Sequence, residues 1–164
     1  MQALAQWLAS TPASVGIQRA LWLIPLLQSV HILAIAMVLS SVAMIDLRML
    51  GVGRSQTMVQ TARRFVPWLW IGLVLLAATG LALIVGEPKR SLPNFAFQLK
   101  MILLALAIAL TLLFQLSLRR NTTLWDEKHP GRTVTVVLAI ATFVLWCAIA
   151  VAGRWIAYMA TTYT

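Results

Sequence analysis

Four long apolar runs, joined by connections too short to hold a second fold, constrain this chain more than any other feature. They read as Ala20–Ile45, Pro67–Gly86, Phe95–Leu118 and Val134–Ala160. Each reaches or exceeds the roughly 20 residues that a helix needs to cross a hydrocarbon core. Of the 164 residues 61% are hydrophobic and 10% charged, where an ordinary soluble domain carries roughly a quarter charged residues. The expected fold class is all-α: a four-transmembrane-helix bundle with a short N-terminal interfacial helix, a single integral-membrane domain over residues 1–164 in contact with the lipid bilayer.

Charge placement sets the expected orientation. The chain has 13 Lys and Arg against 4 Asp and Glu, for a net charge of +9, yet the excess sits in loops and does not point to nucleic acid. Arg48, Arg54, Arg63 and Arg64 flank the first connection, and Arg119, Arg120, Lys128 and Arg132 the third, whereas the second holds only Lys89 and Arg90. Positive-inside bias then makes the first and third loops cytoplasmic and both termini periplasmic, in a bacterial inner membrane. The start, "MQALAQWLASTPASVGIQR", is uncharged up to Arg19 and lacks a secretory signal pattern, so no cleavage is expected.

Leu4, Trp7 and Leu8 at helical spacing predict the interfacial helix over residues 2–10, ending near Thr11 and Pro12 on the outer surface. Pro25 either falls in the first turn of span one or kinks it by freeing the Leu21 carbonyl. In "SQTMVQTARRFVPW", Met58, Val59, Ala62, Phe65 and Val66 share one face and Gln56, Gln60, Arg63 and Arg64 the other. That pattern predicts an amphipathic helix on the inner surface that leads into span two at Pro67. Trp68, Trp70 and Trp125 mark the inner boundary, and Trp22, Phe97, Trp155 and Tyr158 the outer. Small residues, Gly72, Ala77, Ala78, Gly80 and Ala82 in span two and Ala34, Ser40, Ser41 and Ala43 in span one, suit close approach of a helix or of a flat ligand.

Three ionisable side chains fall inside the spans, where each costs about 2.5–3.5 kcal/mol on insertion scales and calls for a partner. His31 lies roughly 14 Å below Trp22, and Lys100 and Arg154 roughly 8–9 Å from the outer boundary. Glu87 is the only acid near the outer loops, so two cations share too few carboxylates. A ligand with two carboxylates would satisfy both, and haem is such a ligand: its iron takes a neutral imidazole and its macrocycle an apolar slot between helices. The candidate cofactor-binding residues are His31, Lys100, Arg154 and Gln28, with His31 as metal ligand and Lys100 and Arg154 on the propionates. The competing reading has His31 hydrogen-bonded to Gln28, one turn away, or to a carbonyl, while both cations snorkel to the headgroups.

His129, in "WDEKHPGR", reads as a solvated turn residue, and Cys147 as a small buried hydrophobe. Met37, Met44 and Met101 are apolar fillers or a soft second ligand. Asp46 and Arg48 lie two apart and cannot share a helix face, so Asp46 is expected to meet Arg63, Arg64, Arg119 or Arg120.

The stretches "HILAIAMVLSSVAMIDLRML" and "GLALIVGEPKRSLPNFAFQLKMILLALAIAL" resemble HemJ-type membrane proteins, the oxygen-independent protoporphyrinogen oxidases, and the related CopD-type copper-resistance proteins. The shared pattern is His31, Arg48, Glu87 with Pro88, and Lys100, over roughly residues 20–120. The chain is still more similar to a group of short bacterial four-span proteins with the same "H…DLR" segment. The HemJ resemblance implies haem b at His31, with Lys100 a second axial ligand or a porphyrin contact; the depth estimate favours the propionate contact. HemJ-like chains carry a further histidine soon after the arginine, where "MLGVG" stands here, so haem binding transfers better than protoporphyrinogen oxidation.

Three functions are weighed. One is a haem b protein relaying electrons beside other membrane or periplasmic redox subunits, or as a homo-oligomer. A CopD-like copper permease would need several Met, Cys or His ligands in line. The third is a structural membrane subunit without cofactor. With all four acids at or beyond the interfaces, paired-carboxylate catalysis is set aside.

Overall fold

The computed structural model describes residues 2–52, 55–120 and 132–159. Arg54, Trp125, Lys128 and His129, named above, lie outside the described residues, as do the side chains of Arg132 and Tyr158. The described elements are all helical: α1 (Gln2–Ala9), α2 (Pro12–Arg19), α3 (Leu23–Met49), α4 (Met58–Gly86), α5 (Pro88–Ser91), α6 (Phe95–Arg120) and α7 (Arg132–Met159). Of these, α3, α4, α6 and α7 are long and apolar enough to cross a membrane, so the chain is a multi-pass membrane protein with an all-α bundle fold. Large apolar side chains face outward along the spans; Leu33 is 70% and Leu113 62% exposed, which is tolerable only against lipid.

Helix boundaries follow local chemistry. Thr11 begins α2: its hydroxyl accepts from the Ser14 backbone N–H, and Pro12 occupies the first turn, where its missing N–H costs nothing. The pair Thr11–Pro12 therefore opens a second short helix as well as closing the first. Thr57 and Gln60 form a capping box at the start of α4. Pro25 lies in the first turn of α3, so the kink is not needed. Pro67 sits inside α4, which runs unbroken from Met58. The expected separate surface helix and span two are thus one element. The carbonyl that Pro67 leaves unpaired, that of Arg63, belongs to an exposed residue near the helix start, where water can satisfy it.

Packing couples α3 with α4, α6 with α7, and the two pairs through α3 against α7. Val38, Val42, Leu69, Leu73, Ala107, Trp146 and Ile149 make the central core. Ile45, Met58, Ala62 and Leu118 make a second cluster at the end where α3 and α6 finish and α4 begins. The apolar face of residues 58–66 therefore docks on the bundle and does not lie on a membrane surface. At the opposite end α2 packs on α4, Gln18 Nε2 donating to the Gly86 carbonyl at 3.0 Å, and Asn94 caps α6 through the Ala96 N–H while its Nδ2 donates to the Ile156 carbonyl.

The α3–α4 seam depends on Gly72, where a Cβ would stand 2.6 Å from Val38 Cγ2. Gly72→Ala is expected to cost about 1–3 kcal/mol, as overpacking does. Gly16→Ala, with open space around the new methyl, should be neutral or slightly stabilising. Thermal unfolding of the two variants in detergent checks the contrast.

Candidate functional site

His31 projects from α3 into the half of the bundle that carries α2 and α5. Opposite it, α4 presents Thr79 and Gly80. The Thr79 hydroxyl lies 2.6 Å from the Leu75 carbonyl of its own helix and 2.7 Å from His31 Nδ1. A hydroxyl has one proton to give. Where the hydroxyl gives that proton to the Leu75 carbonyl, its oxygen accepts from Nδ1–H and Nε2 keeps its lone pair. This is the arrangement by which a carbonyl or hydroxyl partner orients a metal-ligating imidazole.

Beyond Nε2 stands Lys100 of α6, its Nζ at 3.5 Å, the long limit of a hydrogen bond. The lysine stem lies across α7 at Gly153, where a Cβ would come within 3.2 Å of Nζ. Gly80 faces the imidazole on α4, where a Cβ would stand in ordinary van der Waals contact, 3.6 Å from His31 Cε1. All four long helices thus contribute to one polar station: the imidazole from α3, the hydroxyl from α4, the amine from α6, and a bare backbone from α7. Thr79 is buried, and His31 and Lys100 are half-buried.

Among the sequence candidates, His31 and Lys100 come together and the others do not join them. Gln28 is exposed, and the hydrogen-bond partners of His31 are Thr79 and Lys100. Arg154, one residue past Gly153, is exposed on α7. The depth estimate set Lys100 well outward of His31, but the stem spans the difference and carries Nζ to the imidazole. Met44 and Met101 are both 44% exposed, and Met37 packs over Gly72. Cys147 is a half-buried free thiol, six residues before Gly153 and so about 9 Å from it along α7. No three His, Cys, Asp or Glu side chains converge among the described residues.

Two positions escaped the sequence reading. Thr79 sits in the small-residue face of α4, where its only signal is a hydroxyl in an apolar run. Thr142 partners Asp46, its hydroxyl 3.0 Å from Oδ1, in place of the expected arginines. Asp46 is 5% exposed and turned into the bundle, whereas Arg63, Arg64, Arg119 and Arg120 are exposed at its rim. Near the outer loops Glu87 pairs with Arg90 at 3.1 Å.

Removing the Thr79 hydroxyl strands a buried donor. Thr79→Val is expected to destabilise the protein by about 1–3 kcal/mol, while Thr79→Ser, which keeps the oxygen, stays within about 1 kcal/mol of wild type. Denaturant unfolding in micelles measures both.

No curated protein and no solved structure matches the chain. A family model described as a family of unknown function, DUF6644, matches residues 16–159, a span that takes in α3, α4, α6, α7 and every residue of the polar station, and the chain belongs to that family.

Proposed function

We propose that this protein binds haem b and serves as a small electron-transfer subunit of a redox assembly in the bacterial inner membrane. The observation that carries the reading is the Leu75–Thr79–His31 hydrogen-bond chain, which can orient the imidazole with Nε2 turned toward Lys100, whose Nζ lies 3.5 Å away. Gly153 adds to it, since a Cβ there would come within 3.2 Å of Lys100 Nζ. The HemJ resemblance at His31 and Lys100 points the same way.

In this reading His31 Nε2 would hold the iron and the Thr79 hydroxyl would orient the ring. Lys100, whose Nζ lies 3.5 Å from Nε2, would serve as a second nitrogen ligand or a porphyrin contact. Arg154, exposed beside Gly153, is the candidate partner of a propionate. Haem, when bound, supplies one-electron transfer at a potential set by its axial ligands and by burial. The arginines at the inner ends of α3 and α6 and at the start of α4 support an orientation with both termini periplasmic. Partner redox subunits or a second copy would then meet the site from that side. A copper permease has less to stand on, because the thiol and the exposed methionines do not gather at His31.

The test is an absorption spectrum of detergent-purified protein expressed with haem supplementation. A Soret band that shifts on dithionite reduction is expected. His31→Ala should lower bound haem about tenfold or more, the scale of a lost metal ligand or its partner, and Lys100→Ala should move the band or weaken binding. A colourless wild-type protein, or a His31→Ala spectrum identical to wild type, would overturn the proposal.

A further inference from the structure

The bundle has a second polar station that haem binding does not use. Asp46 is buried in the other half of α3 at 5% exposure, fifteen residues and about 22 Å along the helix from His31. Its Oδ1 accepts the Thr142 hydroxyl at 3.0 Å, while Oδ2, also buried, has no hydrogen-bond partner among the described residues. Asp46 stands in the wall of a cavity of about 270 Å³, together with Thr111, Phe114, Ser117, Thr142 and Trp146. The rest of the lining is aliphatic. A buried carboxyl oxygen left without a donor costs about 1–3 kcal/mol, and the cavity is where a donor can come from.

The surroundings narrow the chemistry of that donor. Arg48, Arg63, Arg64, Arg119 and Arg120 ring this end of the bundle, so an ammonium would approach against like charge, whereas a neutral hydroxyl would not. An apolar cavity of about 150 Å³ accepts a benzene ring; one of about 270 Å³ has room for a substituted ring. Phe114 and Trp146 offer it aromatic surfaces. Leu113 and Leu138, exposed on the outside of α6 and α7, also line the cavity, which gives an apolar tail a way out into lipid.

We propose that this cavity binds the hydroxyl-bearing ring of a lipid-soluble quinol or phenol, the hydroxyl donating to Asp46 Oδ2. The cavity contains neither His31 nor Lys100, so the inference stands apart from the haem reading. A lipid alcohol offers the same neutral hydroxyl on an apolar body, and the experiment separates the two sources.

The full chain in detergent is titrated under argon with decylubiquinol, decylubiquinone, dioleoylglycerol and dodecylamine. Binding is read as the part of the tryptophan quenching that Trp146→Phe abolishes. Saturable binding of decylubiquinol is expected, about tenfold tighter than decylubiquinone, the worth of one hydrogen bond. Asp46→Leu should weaken it about tenfold, and Asp46→Asn, whose amide still pairs with a hydroxyl, by less than about threefold. Leu110→Phe, which narrows the cavity without touching the carboxyl, should also weaken binding, and it carries the test if Asp46→Leu does not fold. Equal binding of quinol and quinone, indifference to Asp46→Leu and Leu110→Phe, or preference for dioleoylglycerol or dodecylamine would overturn the proposal.

Discussion

A polar side chain in hydrocarbon must find its hydrogen bonds within the protein, and in this bundle His31 and Asp46 of α3 each meet a threonine on another helix. His31 meets Thr79 of α4 and Asp46 meets Thr142 of α7. The Thr79 hydroxyl lies 2.6 Å from the Leu75 carbonyl of its own helix, while the one proton of Thr142 has the Asp46 carboxyl at 3.0 Å and the Leu138 carbonyl at 2.9 Å as alternative acceptors. With Lys100 reaching from α6, α3 is tied by polar contacts to all three other spans, while van der Waals packing at Gly72 and in the central core supplies most of the contact area.

The two stations lie on opposite sides of an apolar layer. Val38, Val42, Leu69, Leu73, Ala107, Trp146 and Ile149 fill the middle of the bundle, so the His31 and Asp46 sites have separate surroundings and separate chemistry. One offers a nitrogen lone pair flanked by an amine; the other offers a carboxyl oxygen beside a cavity.

Four spans and several outward aromatic residues were legible in the sequence, because hydropathy acts locally. Trp22, Trp68 and Trp155 stand exposed at 68%, 55% and 57%, as interfacial anchors should. What could not be read was pairing between distant helices. Asp46 was assigned an arginine from loop charges, yet the partner is a hydroxyl 96 residues away, with no signal beyond its presence in an apolar run. The depth of Lys100 was judged from its backbone position, and the long stem makes that position a poor guide to where its amine lies. Pro67 and Pro12 misled in the same way. A proline forbids one hydrogen bond and leaves the surroundings to decide whether the helix breaks, continues or begins there.

The donor role of the Thr79 hydroxyl decides the His31 tautomer, and with it whether Nε2 offers its lone pair. Solid-state ¹⁵N NMR of imidazole-labelled protein prepared in lipid without added haem, with His129→Gln to leave one histidine signal, reads it directly. A protonated Nδ1 and an unprotonated Nε2 are expected, with the pattern disturbed in Thr79→Val; a proton on Nε2 in the wild-type site would rule this tautomer out.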